Sequence, residues 1–135
     1  MNLVCSDVIV KRLGRVEYAP AFEAMRAFTA QRDAGTTDEF WLLEHPPVYT
    51  LGQAADPAYG PGENARIPIV RVDRGGQITY HGPGQLVLYV LVDLARRGVK
   101  VREFVRMLET AAIATLAAHG VRAECRPRAP GVYGA

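Results

Sequence analysis

The densest run of chemistry-bearing residues is Arg74-Gly75-Gly76-Gln77-Ile78-Thr79-Tyr80-His81-Gly82-Pro83-Gly84-Gln85. If Gln77 to His81 is extended, Gln77, Thr79 and His81 project to one face while Ile78 and Tyr80 project to the other. That makes a row of hydrogen-bonding side chains flanked by glycine pairs. Glycine tolerates positive φ and lets a ligand approach the backbone closely. Arg74 adds a permanent cation with forked donors at the entrance of the row. The same pattern also fits a glycine-rich hairpin whose polar side faces water. His81 alone does not define a catalyst, because the segment holds no serine or cysteine nucleophile. Nor is it a phosphate loop, since no Gly-Lys-Ser/Thr follows and no helix opens there. From the residues alone, the segment reads as a small-ligand cleft.

The flanking sequence supplies the elements that would hold this row. Asp7 to Val10 reads as a short strand. Phe22, Met25 and Phe28 recur at helical spacing within Ala21 to Arg32, with Pro20 suited to the first turn and Gly35 just past the end. Phe40 to Leu43 reads as a buried strand, broken by His45-Pro46-Pro47 because two prolines remove backbone donors. Val48 to Leu51 resumes as a strand. Ala54 to Arg66, crowded with Pro57, Gly60, Pro61, Gly62 and Asn64, reads as a loop long enough to serve function. Ile67 to Val72 and Leu86 to Leu94 are further strands, the second of them apolar and buried.

After Gly98 the spacing of Phe104, Leu108 and Ala112, widened by Val105 and Leu116, predicts a helix capped by Gly120. Val121 to Cys125 and Gly131 to Tyr133 read as strands. Strands at hairpin-like spacing with a helix to either side predict a single α+β (α/β) domain over residues 1–135. Its sheet should be mixed and mostly antiparallel, with flanking helices.

Bulk properties narrow the function. The 135 residues carry a net charge of +2, with 49% hydrophobic and 22% charged residues. Acids and bases are interspersed, which gives no concentrated basic face for nucleic acid. No apolar run approaches the roughly 20 residues of a membrane helix, and the N-terminus lacks the layout of a secretory signal. A cytoplasmic protein with no nucleic-acid or membrane partner is expected. Cys5 and Cys125 have no metal-ligand spacing and read as free, partly buried thiols.

The run RGGQITYHGPGQLVLYVLVDL, beginning at Arg74, is very similar to the signature of the lipoyl(octanoyl) transferase family. Glu39 to Asp56 (EFWLLEHPPVYTLGQAAD) resembles that family's earlier block, in the same order and at a fitting distance. Pro130-Gly131-Val132-Tyr133 resembles the start of its PGVY/W strand. Val90 departs from the family, which usually has proline after that tyrosine. The resemblance runs from about Asp7 onward. It implies a lipoate/biotin protein ligase-like fold. It also implies transfer of an octanoyl group from acyl carrier protein to a lysine of lipoyl domains. Those domains belong to 2-oxoacid dehydrogenase complexes and the glycine cleavage H protein, and no cofactor is needed. Carried over residue by residue, Arg74, Gly75, Gly76, Gln77, Ile78, Thr79, Tyr80 and His81 form the substrate-binding segment, beside an apolar tunnel for the acyl chain.

In the family a cysteine thiolate attacks the acyl thioester, and a nearby lysine ammonium lowers that cysteine's pKa. The lysine follows the PGVY strand and the cysteine comes later still. Both positions are expected beyond Ala135, so no catalytic residue is expected within these residues, and the fold is expected to be incomplete at its C-terminus. Lys11 and Lys100 lie in the wrong segments to substitute. An incomplete fold would leave a sheet edge and apolar surface uncovered. Cys125 could replace the nucleophile only if Arg122, Arg126 and Arg128 surround it and depress its pKa. Two alternatives remain: an ATP-dependent lipoate or biotin ligase, and a non-catalytic product that binds acyl groups or carrier protein.

Overall fold

A computed structural model describes residues 7–56 and 66–135. Residues 57–65, most of the predicted Ala54 to Arg66 loop, and Cys5 lie outside the described residues. The chain divides into two compact units, Met1–Val92 and Asp93–Ala135.

The first unit opens with β1 (Val8–Arg15), α1 (Tyr18–Gln31) and β2 (Asp38–Glu44). β1 and β2 pair in parallel. Parallel neighbours need a crossover rather than a tight turn, and α1 provides it. The pairing carries β1 on to Arg15, past the predicted end at Val10, through an irregularity between Arg12 and Gly14. Gly14 sits at φ +69°, which glycine adopts without a Cβ clash. α1 begins at Tyr18, ahead of the predicted Ala21, and still holds Pro20 in its first turn. Its apolar face seats Phe28 edge-on against Trp41 of β2, with ring centroids 6.2 Å apart.

β6 (Val87–Leu91) adds to the other side of β2 in antiparallel register, giving the order β1-β2-β6. A second sheet has β3 (Val48–Leu51) at its centre, with β4 (Ile69–Arg71) parallel on one side and β5 (Ile78–His81) antiparallel on the other. The glycine pair Gly75-Gly76 therefore does not close a hairpin. It joins two strands that flank β3, so the alternative of a glycine-rich hairpin is not the arrangement observed. The break at His45-Pro46-Pro47 stands as predicted, and it separates the strands of the two sheets. Tyr18, Val48 and Val72 form the buried apolar cluster, with Phe22 and Val70 packed against it.

The predicted Leu86 to Leu94 strand divides. Its ladder with β2 stops at Leu91, and Leu94–Arg97 forms a single helical turn, α2. Asp93 Oδ1 accepts a hydrogen bond from Arg96 N at 2.9 Å, an N-cap that the apolar run concealed. β6 is half-buried rather than buried, with Leu88 45% exposed. β1 exposes Ile9, Val10 and Leu13. The expected uncovered apolar surface is present among the described residues.

The second unit contains α2, α3 (Val101–Ala118), β7 (Ala123–Arg126) and β8 (Ala129–Gly134), the last two paired antiparallel. On α3, Phe104, Met107, Ala112, Ile113 and Leu116 are half-buried, whereas Val105 and Leu108 are exposed. The predicted stripe is thus rotated away from Val105 and Leu108. Gly120, at φ +76°, ends the helix, with Gly120 N donating to Ala117 O and Val121 N to Leu116 O. Among the described residues three of the five strand pairings are antiparallel, a mixed α+β arrangement as expected.

Candidate functional site

The Arg74–His81 segment is held against β3 by its own polar groups. Thr79 lies opposite Thr50 and His81 opposite Val48, while Tyr80 opposes Tyr49 and Ile78 opposes Leu51. The alternation read from sequence is therefore present from Ile78 to His81. Tyr49 and Tyr80 meet on one face with ring centroids 5.4 Å apart. The other face carries Thr50, Thr79, Val48 and His81. Gln77 falls outside this row, because it precedes the strand and its Oε1 accepts from Asp56 N at 3.2 Å.

Arg74 is spent largely on the protein. Its Nη2 donates to Thr50 O at 2.9 Å, Thr50 Oγ1 at 2.8 Å and Thr79 Oγ1 at 3.1 Å. Nη1 donates to Gly75 O at 2.9 Å. The sequence suggested a cation at an entrance; the geometry gives a clamp that ties the glycine loop to β3 and β5. Thr50 is fully buried, so its hydroxyl and carbonyl need these donors. Gln53 N to Arg74 O at 3.0 Å and Gly52 N to Gln77 O at 3.3 Å close the loop from the other side. A side chain at Gly52 would run into the carbonyl oxygens of Gly76 and Gly75. Gly76 adopts φ +92°, a conformation that favours glycine. Close approach of backbone to backbone is what these glycines permit.

At the far end of the row His81 does not face bulk water alone. Its ring stacks on Tyr18 with centroids 6.1 Å apart and an interplanar angle of 10°. His81 Nδ1 pairs with Gln85 Oε1 at 2.6 Å, and Gln85 Nε2 donates to Tyr80 O at 3.2 Å. An amide oxygen only accepts, so Nδ1 carries the proton in this arrangement. No hydrogen bond reaches His81 Nε2 among the described residues. Gly84 N donates to Glu44 Oε2 at 3.2 Å, fixing the turn that follows.

Behind His81 lies His45, which is fully buried. Its Nδ1 meets Val16 O at 2.6 Å and its Nε2 meets Tyr89 Oη at 2.7 Å. A carbonyl cannot donate, so Nδ1 holds the hydrogen and Nε2 accepts from the tyrosine. Burial first, and then the neighbouring His81, hold the His45 pKa below the usual histidine value; Val16 O and Glu17 oppose this. Burial, reinforced by Tyr18, pushes the Tyr89 pKa well above the ordinary phenol value. For Tyr18 burial also raises the pKa, with Arg74 opposing and Asp73 adding.

The sequence reading passed over Tyr18, His45, Thr50 and Tyr89. His45 looked like the start of a proline break, and Tyr89 like one more apolar strand residue. A histidine directly after a buried strand was the one signal available.

The chain matches the lipoyl protein ligase A/B catalytic domain over residues 17–133. It belongs to that family. An octanoyltransferase of Azoarcus sp. (strain BH72) is 63% identical over 130 residues, covering 96% of this chain and 57% of the relative. An octanoyltransferase of Cupriavidus necator is 60% identical over 132 residues, covering 98% of this chain and 49% of the relative. The chain thus spans about half the length of the curated relatives it matches. A solved structure of a proposed lipoate protein ligase from T. acidophilum superposes with a TM-score of 0.66 at 17% identity, covering 93% of this chain and 53% of that one. The lipoyl protein ligase A/B match spans α1, β2, the Arg74 clamp and most of β8, and it includes Tyr18, His45, Thr50, Arg74, Thr79, His81 and Tyr89. The fold expected from the resemblance is the one observed.

Cys125 is free and exposed, where the sequence reading placed it as partly buried. What desolvation it meets, together with the hydrogen bond and charge of Glu109, raises its pKa. Arg126 instead lies over the Tyr133 ring, 4.6 Å from its centroid. The arginines near Cys125 in sequence therefore do not make it a thiolate. No helix among the described residues is long and apolar enough to cross a membrane.

Proposed function

We propose that this chain is the acyl-binding part of an octanoyltransferase, in which Arg74, Gly75, Gly76, Gln77, Ile78, Thr79, Tyr80 and His81 form the substrate-binding segment. The observation that carries the reading is the Arg74 clamp on Thr50 and Thr79, which holds a glycine-lined loop at one end of the polar row that ends in His81. A thioester carbonyl presents one small polar atom on an otherwise apolar chain. Glycine backbone allows that atom to approach, and His81 Nε2 offers a group that can accept or, once protonated, donate a hydrogen bond. The named octanoyltransferases at 63% and 60% identity support octanoyl as the acyl group and weigh against an ATP-dependent ligase.

The donor is acyl carrier protein. The acceptors are lysines of lipoyl domains in 2-oxoacid dehydrogenase complexes and of the glycine cleavage H protein. The reaction takes place in the cytoplasm. The donor thioester is already activated: the lysine amine forms an amide, the carrier thiol leaves, and the reaction runs downhill, so neither ATP nor a cofactor is required. The family match runs from residue 17 to residue 133, which supports reading both units as parts of one acyltransferase domain. The test is transfer of the octanoyl group from octanoyl-acyl carrier protein to a lipoyl domain by a protein that contains this chain together with the cysteine and lysine that the resemblance implies. The expected result is a lipoyl domain carrying one octanoyl group without added ATP. Modification that appears only with ATP and free octanoate would replace this reading with the ligase.

A further inference from the structure

His45 contributes an imidazole to a place where an apolar side chain would fill the same space at less desolvation cost. It is fully buried, and both of its nitrogens are engaged, with Val16 O at 2.6 Å and Tyr89 Oη at 2.7 Å. Its ring stands edge-on to His81, with centroids 5.8 Å apart and planes inclined at 65°. Tyr18 touches both histidines, edge-on to His45 at 5.2 Å and stacked on His81 at 6.1 Å. Tyr18 of α1 and His45 of the turn between β2 and β3 both meet the His81 ring of β5, and Tyr89 of β6 meets His45 in turn.

We infer that His45 is a positioning residue, which holds the His81 ring in one plane and one tautomer so that Nε2 is presented to the acyl group. The inference rests on the acyl-binding reading of the Arg74–His81 segment. The second torsion of a histidine is broad by itself, so an isolated ring samples many orientations. Here Tyr18 stacks on His81, Gln85 Oε1 takes Nδ1–H at 2.6 Å, and His45 stands edge-on to the ring at 5.8 Å. His45 can hold the ring from there only while it is itself fixed. Val16 O selects its Nδ1–H tautomer, and the Tyr89 hydroxyl then donates to Nε2. Among the described residues the groups that face it are Val16 O, Glu17, Tyr18, His81 and Tyr89, and Glu17 is the carboxylate whose charge acts on it.

Tyr89→Phe tests this with little disturbance of packing, since it removes a single oxygen. The protein is labelled with nitrogen-15 at histidine, and the imidazole nitrogens are followed at neutral pH. In the starting protein His45 should appear as the Nδ1–H tautomer. In Tyr89→Phe the His45 Nε2 signal should move toward that of an unbonded imine nitrogen, and the His81 signals should move as well. His45→Asn, which retains a donor for Val16 O, should also displace the His81 signals. In octanoyl transfer, Tyr89→Phe should lower kcat up to about tenfold while KM for the acyl donor changes little. His81 signals that stay in place in both variants, with the His45 signals displaced in Tyr89→Phe, would overturn the inference, because a purely structural plug behaves that way. If the protein that carries the implied cysteine and lysine transfers no octanoyl group but the histidine coupling is present, the acyl reading fails and the positioning role stands.

Discussion

Arg74 donates from one nitrogen, Nη2, to both the hydroxyl and the carbonyl oxygen of Thr50, at 2.8 and 2.9 Å. The same nitrogen reaches Thr79 Oγ1 at 3.1 Å, so one guanidinium edge spans the pairing of β3 with β5. A lysine ammonium has a single nitrogen, so it cannot reach both these oxygens and Gly75 O, which Arg74 bonds through its second nitrogen, Nη1. Arg74→Lys should therefore leave at least one of these oxygens without its donor. The expected loss of stability is about 1–3 kcal/mol in urea unfolding. An unchanged midpoint would show that the clamp is replaceable.

Gly52 is fixed by a close approach rather than by its φ. A methyl group there would meet the carbonyl oxygens of Gly75 and Gly76, which are backbone atoms and cannot rotate away. Gly52→Ala should shift the glycine loop and cost about 1–3 kcal/mol. The affected amides should be those of Gly52 and Gln53, which donate to Gln77 O and Arg74 O and so close the loop. Amide shifts confined to residue 52 itself would contradict this.

Two buried ionisable groups set the response to acid. The His45 pKa is lowered from 6.5, chiefly by burial, so the unfolded chain takes up a proton that the folded chain resists. Its stabilising contribution is complete above about pH 6.5 and is lost as pH falls below it. For Glu39, burial raises the pKa, but Lys11, with Nζ 2.8 Å from Oε2, and Trp41, with Nε1 2.6 Å from Oε2, bring the net value below 4.5. Its contribution is complete above pH 4.5 and is lost on further acidification. Thermal unfolding should therefore show a falling midpoint in two stages. In His45→Asn the upper stage should disappear, and its persistence would remove His45 as the cause.

Cys125 should be a slow thiol. Desolvation and the Glu109 carboxylate keep it protonated at neutral pH although it is exposed. Alkylation at pH 7 should run below the rate of a model cysteine peptide, and Glu109→Gln should accelerate it. A wild-type rate above that of the peptide would mean that the nearby arginines dominate after all.

Much of this was legible in the sequence, because several elements are set by short-range signals. The proline pair at Pro46-Pro47 and Gly120 marked ends that the structure retains. The spacing of Phe22, Met25 and Phe28 marked α1. The alternation from Ile78 to His81 also held, since a strand can place its side chains in no other way. What stayed hidden depends on long-range pairing. Nothing local says that β4 and β5 both pair with β3, or that an apolar run ends in an Asp93-capped turn. Arg74 illustrates the limit most clearly. Its charge suggested a ligand partner, but Thr50, 24 residues away, takes its donors.

The most direct test of the acyl-binding account compares the protein that carries the implied cysteine and lysine with its His81→Ala variant, both verified as folded. Octanoyl-acyl carrier protein is the donor, and octanoylation of a lipoyl domain is followed by intact mass. The account predicts that the unmodified protein adds one octanoyl group to the domain. It predicts that His81→Ala slows this on the order of tenfold to a hundredfold. Equal rates in the two proteins would contradict the placement of the acyl group beside His81.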